Sequence, residues 1–71
     1  MRVGIIGTGF IADVHAAALR AAGQDIVAIC GNEEAVLASF AKKWSIANSY
    51  VDYREIPLEN LDAVHICTPP N

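Results

Sequence analysis

Val3-Gly4-Ile5-Ile6-Gly7-Thr8-Gly9-Phe10-Ile11-Ala12 is the stretch from which the rest of the chain is read. Val3 to Ile6 is apolar without polar alternation, which fits a central parallel strand covered on both faces. Gly7-Thr8-Gly9 breaks that run, and the alanine-rich segment from Phe10 to Ala22 follows without glycine or proline. Strand, tight turn and helix start in this order have a physical use. The first amides of a helix lack intrahelical partners and carry partial positive charge, so they attract a phosphate. In the dinucleotide-binding fingerprint Gly7 lets the chain turn sharply and Gly9 lets a pyrophosphate approach backbone that carries no Cβ. Ala12 takes the position that must be small for helix and strand to pack closely.

Reading outward, Ile11, Val14, Ala18, Leu19 and Ala22 recur at helical spacing and predict the buried stripe of the first helix, with Gly23 ending it. His15 lies among these apolar residues and reads as a packed helix histidine rather than a catalytic one. Ile26 to Cys30 is a second strand, broken by Gly31-Asn32. Asn32 is placed to cap a second helix whose first turn holds Glu33 and Glu34 and whose last holds Lys42 and Lys43. Val36, Leu37, Phe40 and Trp44 supply its inward stripe, so Trp44 reads as core rather than as a platform for a base.

Between Ser45 and Leu61 the pattern is weaker. Ala47 to Val51 predicts a short strand, Asp52 a cap for one helical turn over Tyr53 to Ile56, and Pro57 its stop. Ala63 to Cys67 is a fourth strand, which Thr68-Pro69-Pro70-Asn71 terminates. Alternating strands and helices predict an α/β fold, a Rossmann-type parallel sheet with right-handed crossovers and strand order 3-2-1-4. In that order Cys30 and Cys67 flank the first strand about 9 to 10 Å apart, too far to bond, and read as buried reduced thiols. Two helices cover only one face of a sheet that is apolar on both. The 71 residues are therefore expected to be the N-terminal part of a doubly wound domain, with the remainder and any substrate domain outside this chain.

Composition narrows the function. The net charge is −3, and five Lys and Arg scattered along the chain form no stripe that could follow a nucleic-acid backbone. No run approaches the roughly 20 apolar residues of a membrane span, and a signal-peptide pattern is lacking at the start, so the expected location is cytoplasmic. His65 and Cys67 share a strand face, but a metal site built on them would lack two or more ligands.

The glycine turn, the helix between Asn32 and Trp44 and the ending Asp62-Ala63-Val64-His65-Ile66-Cys67-Thr68-Pro69-Pro70-Asn71 together resemble one family over essentially the whole chain. The chain is similar to the N-terminal NAD(P)-binding domain of the Gfo/Idh/MocA oxidoreductases, which include glucose-fructose oxidoreductase and inositol dehydrogenases. The resemblance implies hydride transfer between nicotinamide and a hydroxyl-bearing carbon of a sugar, cyclitol or related polyol, in a protein that forms homo-oligomers. It places Gly7, Thr8, Gly9, Phe10 and Ile11 against the pyrophosphate and Gly31 and Asn32 beside the adenosine ribose. Cys67, Thr68, Pro69, Pro70 and Asn71 fall at the nicotinamide end, outside the carboxyl ends of the strands.

Two features depart from the pattern. The acidic residue expected about 20 residues past the glycines, which binds the 2′-hydroxyl of NAD, is replaced by Gly31-Asn32. This neutral pair leaves room for the 2′-phosphate of NADP, although no Lys or Arg adjoins it and Glu33 and Glu34 would repel the phosphate if they pointed inward. The reading is NAD(P), leaning slightly to NADP. The family's glutamate-lysine-proline motif, with its proton-transferring lysine, and its later histidine or aspartate would lie beyond residue 71. Lys42, Lys43, His15 and His65 match none of these, so the chain itself holds no catalytic residue. A non-catalytic Rossmann module that holds a dinucleotide or another adenosine-containing ligand is the alternative, because fold alone does not fix function.

Overall fold

Aliphatic residues around Gly4 form the middle strand of a four-stranded sheet. In the computed structural model, which describes residues 1–67, β1 (Arg2–Ile6) pairs in parallel with β2 (Asp25–Cys30) on one side and β4 (Ala63–Ile66) on the other. β3 (Asn48–Tyr50) pairs in parallel with β2, and the order is β3-β2-β1-β4, as expected. The β1–β2 register slips between Val3 and Gly4: Val3 stands opposite Ile26 and Gly4 opposite Ala28. Val27 is therefore the extra residue of a bulge. This places Ile26 and Ile29, three positions apart, on one face, where strict alternation would separate them. The Asn48 side-chain amide donates to the Val27 carbonyl at 3.1 Å and satisfies the group that the bulge exposes.

Helices α1 (Phe10–Ala21) and α2 (Glu34–Trp44) cover the face that carries Ile5, Ile26 and Ile29. The buried residues of α1 are Ala12 and Ala16, with Leu19 packed beside them. Ile11 and Val14, expected inside, are 53% and 49% exposed, and Ala18 and Ala22 are also exposed. Small side chains face the sheet because they let helix and strands approach closely, and the larger apolar residues turn to the flank. Gly23, at φ 76°, takes the left-handed position that ends the helix.

In α2, Leu37 and Phe40 are buried and Trp44 is partly buried, but Val36 is exposed. Asn32 does not cap this helix. Glu33 is the N-cap residue and no side chain bonds there, so the acidic first turn meets the helix dipole without a cap. Lys42 and Lys43 lie in the last turn as expected. The two helices are tied at their sides: the Asp13 carboxylate accepts from Trp44 Nε1 at 2.9 Å and Lys43 Nζ at 3.2 Å, and the Arg20 guanidinium donates to the Trp44 carbonyl.

The return from β3 to β4 runs back across the sheet, so a right-handed crossover puts it on the opposite face. It is made of two short 3₁₀ turns, Tyr53–Glu55 and Leu58–Asn60. Asp52 caps the first, accepting from the Arg54 amide at 2.9 Å, as the sequence suggested. That turn ends at Glu55 with Ile56 as its C-cap, directly before Pro57 as expected, and Pro57 takes the cap position of the second turn, which sequence reading missed. Ile56 is buried, and Leu61 sits over Gly4, where an added Cβ would come within 2.8 Å of Leu61 Cδ1. This segment covers part of the second face, while Ile66 and Leu58 remain largely exposed.

Candidate functional site

The carboxyl ends of β1, β2 and β4 open on one cleft of about 440 Å³, lined by Ile6, Gly7, Thr8, Gly9, Cys30, Gly31, Asn32, Val51, Tyr53 and Cys67. Gly7 stands at φ 120°, a conformation that side chains rarely adopt, and its amide donates to the Cys30 carbonyl at 2.8 Å. The chain thereby turns at once out of β1 and delivers Gly9 as the N-cap of α1, with no side-chain cap bond. The first helical bond recorded at this end runs from the Asp13 amide to the Gly9 carbonyl at 3.1 Å, so the amides before it have no helical partner. A Cβ on Gly9 would meet nothing within 4 Å. The start of α1 is therefore open to the cleft side, and nothing among the described residues fills the approach to Gly9.

The opposite wall is Gly31-Asn32. The Gly31 amide donates to the Tyr50 carbonyl at 3.1 Å, which holds the end of β3 beside it. A Cβ on Gly31 would lie 2.8 Å from Thr8 Cγ2 and 3.5 Å from Leu37 Cδ1, so glycine is required here by the approach of the first turn. Glu33 and Glu34 are exposed and neither lines the cleft.

Of the residues singled out in the sequence, Gly7, Thr8, Gly9, Gly31, Asn32 and Cys67 come together around this cleft. Phe10 and Ile11 open α1 but turn their side chains outward, and neither lines it. Thr68, Pro69, Pro70 and Asn71 lie outside the described residues. Sequence reading missed Ile6, Cys30, Val51 and Tyr53. Their signal was positional: Ile6 and Cys30 end strands, and Val51 and Tyr53 come within three residues of the end of β3, at the carboxyl edge where ligands of open α/β sheets bind.

Charge is distributed unevenly around the site. No Lys or Arg is among the described lining residues. The nearest guanidinium in sequence, Arg54, is held by Asp52, with Nε donating to Oδ1 at 3.0 Å and Nη2 to Oδ2 at 2.8 Å. That fork holds the Asp52 carboxyl down to about 2. Burial pushes both cleft thiols, Cys30 and Cys67, up from their ordinary value, and the carboxylates of Asp52 and Glu55 push Cys30 further. Those two negative charges therefore act at the end of β2.

Comparison with known proteins agrees with this geometry. A family model described as an oxidoreductase family with an NAD-binding Rossmann fold matches residues 1–71. No curated protein matched. Among solved structures, a probable dehydrogenase from Thermotoga maritima is 32% identical with a TM-score of 0.85. An oxidoreductase from Agrobacterium radiobacter, in complex with NAD+, L-tartaric acid and magnesium, is 27% identical with a TM-score of 0.88. A levoglucosan dehydrogenase in complex with NADH is 26% identical with a TM-score of 0.84. Each alignment covers 97% of this chain and 21% of the other, so the chain spans about a fifth of the length of these proteins.

Proposed function

This chain belongs to the Gfo/Idh/MocA family of oxidoreductases with an NAD-binding Rossmann fold, and on that premise we propose that it is the cofactor-binding part of an NAD-dependent dehydrogenase acting on a hydroxyl-bearing carbon of a sugar, cyclitol or related polyol. The observation that carries the reading is the unobstructed start of α1 behind the Gly7 turn, facing Gly31-Asn32 across the cleft. In this reading the amides that open α1 hold the diphosphate, with Gly9 giving it access. Gly31 and Asn32 flank the adenosine ribose, and Cys67 with Thr68, Pro69, Pro70 and Asn71 forms the nicotinamide end. The bound dinucleotide supplies hydride exchange at nicotinamide C4.

The cleft volume falls within the range of about 300 to 1,000 Å³ usual for small-molecule sites. The slight pull toward NADP drawn from the neutral Gly31-Asn32 pair finds no support: the Agrobacterium and levoglucosan relatives are complexes with NAD+ and NADH. A polyol substrate is supported by family resemblance and by the levoglucosan dehydrogenase. His15 and His65 bond to each other, and Lys43 is engaged by Asp13; neither histidine nor lysine lines the cleft. Proton transfer in this reading therefore falls to residues beyond this chain.

Isothermal titration with NADH and NADPH tests the first half. We expect binding of NADH, lost in Gly9→Val, whose branched side chain occupies the phosphate's approach and whose Cβ meets nothing within 4 Å. No heat with either cofactor at millimolar concentration removes the reading, and unchanged binding in Gly9→Val removes the phosphate seat. Oxidation of polyols by the full-length protein with NAD+ separates a dehydrogenase from a module that only binds.

A further inference from the structure

We propose that Asp52 sets the cofactor preference by holding the Arg54 guanidinium away from the adenosine 2′ position, so that the cleft accepts a 2′-hydroxyl and rejects a 2′-phosphate. The inference rests on the dinucleotide reading above and adds its specificity device.

The placement follows from β3. Its last residue, Tyr50, takes the Gly31 amide at 3.1 Å, so the chain leaves the sheet beside the point assigned to the adenosine ribose. The next residues, Val51 and Tyr53, line the cleft, and the Cys30 thiol reaches the Val51 carbonyl at 3.9 Å. Asp52 and Arg54 alternate with them along the same rim.

Among the described residues Arg54 is the cation next in the chain to cleft-lining residues, between Tyr53 and Glu55. Arg2 begins β1, at the opposite edge. Arg20 and Lys42 lie in the last turns of α1 and α2, which run antiparallel to the strands, and the Lys43 ammonium, which reaches back to the first turn of α1, is held there by Asp13 at 3.2 Å. Arg54 is therefore the guanidinium best placed to serve a 2′-phosphate, and its flexible stem leaves the head free to turn.

Asp52 prevents this. Its two oxygens take Arg54 Nε at 3.0 and 3.2 Å and Nη2 at 2.8 Å, a planar fork matched to a carboxylate, while Oδ1 also takes the Arg54 amide. The pair is neutral as a unit, and Glu55 leaves the rim negative. After burial, the Asp52 and Glu55 carboxylates push the Cys30 thiol up, in keeping with their place beside the end of β2. A phosphate dianion would meet the Glu55 carboxylate with the Arg54 guanidinium already engaged, whereas a hydroxyl would not feel the difference.

The test measures the ratio of NADPH to NADH affinity in the full-length protein at low salt. Asp52→Asn keeps an oxygen for the Arg54 amide but loses the charge and the fork. We expect the ratio to rise about tenfold, with the gain screened by salt. Arg54→Ala leaves Asp52 unpaired and should move the ratio the other way. Adding Arg54→Ala to Asp52→Asn should cancel the gain. An unchanged ratio in Asp52→Asn, or a gain that survives removal of Arg54, overturns the proposal. Wild-type protein that binds neither cofactor overturns the dinucleotide reading itself, a different result from NADH binding with an unaltered ratio.

Discussion

His15 in α1 and His65 in β4 meet edge to face, Nδ1 to Nδ1 at 3.2 Å, although they stand 50 residues apart in the chain. The contact ties the first helix to the strand that runs into Cys67. Two imidazole Nδ1 atoms at this distance bond only if one carries the hydrogen and the other offers its lone pair. At pH 8 we therefore expect the two rings to show opposite tautomers, one protonated at Nδ1 and the other at Nε2, in nitrogen-15 NMR. Two Nε2 tautomers would show that the bond does not form. A double-mutant cycle with His15→Ala and His65→Ala should give a coupling of about 0.5 to 1.5 kcal/mol.

Thr8 and Gly31 make a second checkable contact. A methyl at residue 31 would lie 2.8 Å from Thr8 Cγ2, and Thr8 is held by the turn between Gly7 and Gly9. Gly31→Ala should cost about 1 to 3 kcal/mol of stability in chemical denaturation, the usual range for overpacking. Thr8→Ser removes the offending methyl, so the double variant should regain most of that loss. A loss that Thr8→Ser leaves untouched would mean that the strain lies against Leu37.

Acid sensitivity follows from two carboxylates. The Trp44 indole N–H, working against desolvation and helped by Lys43, holds Asp13 below its ordinary value, and Arg54 holds Asp52 down to about 2. Each is more acidic folded than unfolded, so the stability it adds is complete above the ordinary carboxylate value, about 3.9, and is lost as pH falls through the folded value. Denaturation midpoints should fall between about pH 4 and pH 2, and the fall should be shallower in Asp13→Asn and Asp52→Asn. An equally steep acid limb in both variants would assign it to other groups.

Strand order and the glycine turn were legible because each rests on a local pattern: an apolar run, a break, a helical period. What failed were choices between equivalent patterns. α1 is apolar on two sides, and periodicity cannot say whether Ile11 and Val14 or Ala12 and Ala16 meet the sheet; the close approach at Ala12 decides it. The β2 bulge has no sequence signature, since Val27 is an ordinary strand residue whose displacement is visible only against Val3 and Gly4. Val51 and Tyr53 were missed at the cleft because the segment after β3 folds as short 3₁₀ turns, too brief to leave a period. The Asp52 cap was readable, because a side-chain cap acts on its own neighbours.

Cys30 and Cys67 give a last prediction that joins burial to the cleft. Both are free thiols lining it, 4% and 7% exposed, and burial raises both above the ordinary thiol range, with Asp52 and Glu55 adding to the effect at Cys30. Only the thiolate is nucleophilic, so a raised thiol holds less of the reactive form at neutral pH. Alkylation by iodoacetamide at pH 7 should be slower than that of a free cysteine by about tenfold or more, should rise steeply with pH, and should become fast once urea unfolds the chain. Saturating NADH should slow the native reaction further, because a ligand lying between Gly9 and Gly31 covers the cleft that both residues line. Equal rates with and without NADH, in protein shown by titration to bind it, would place the dinucleotide away from Cys30 and Cys67.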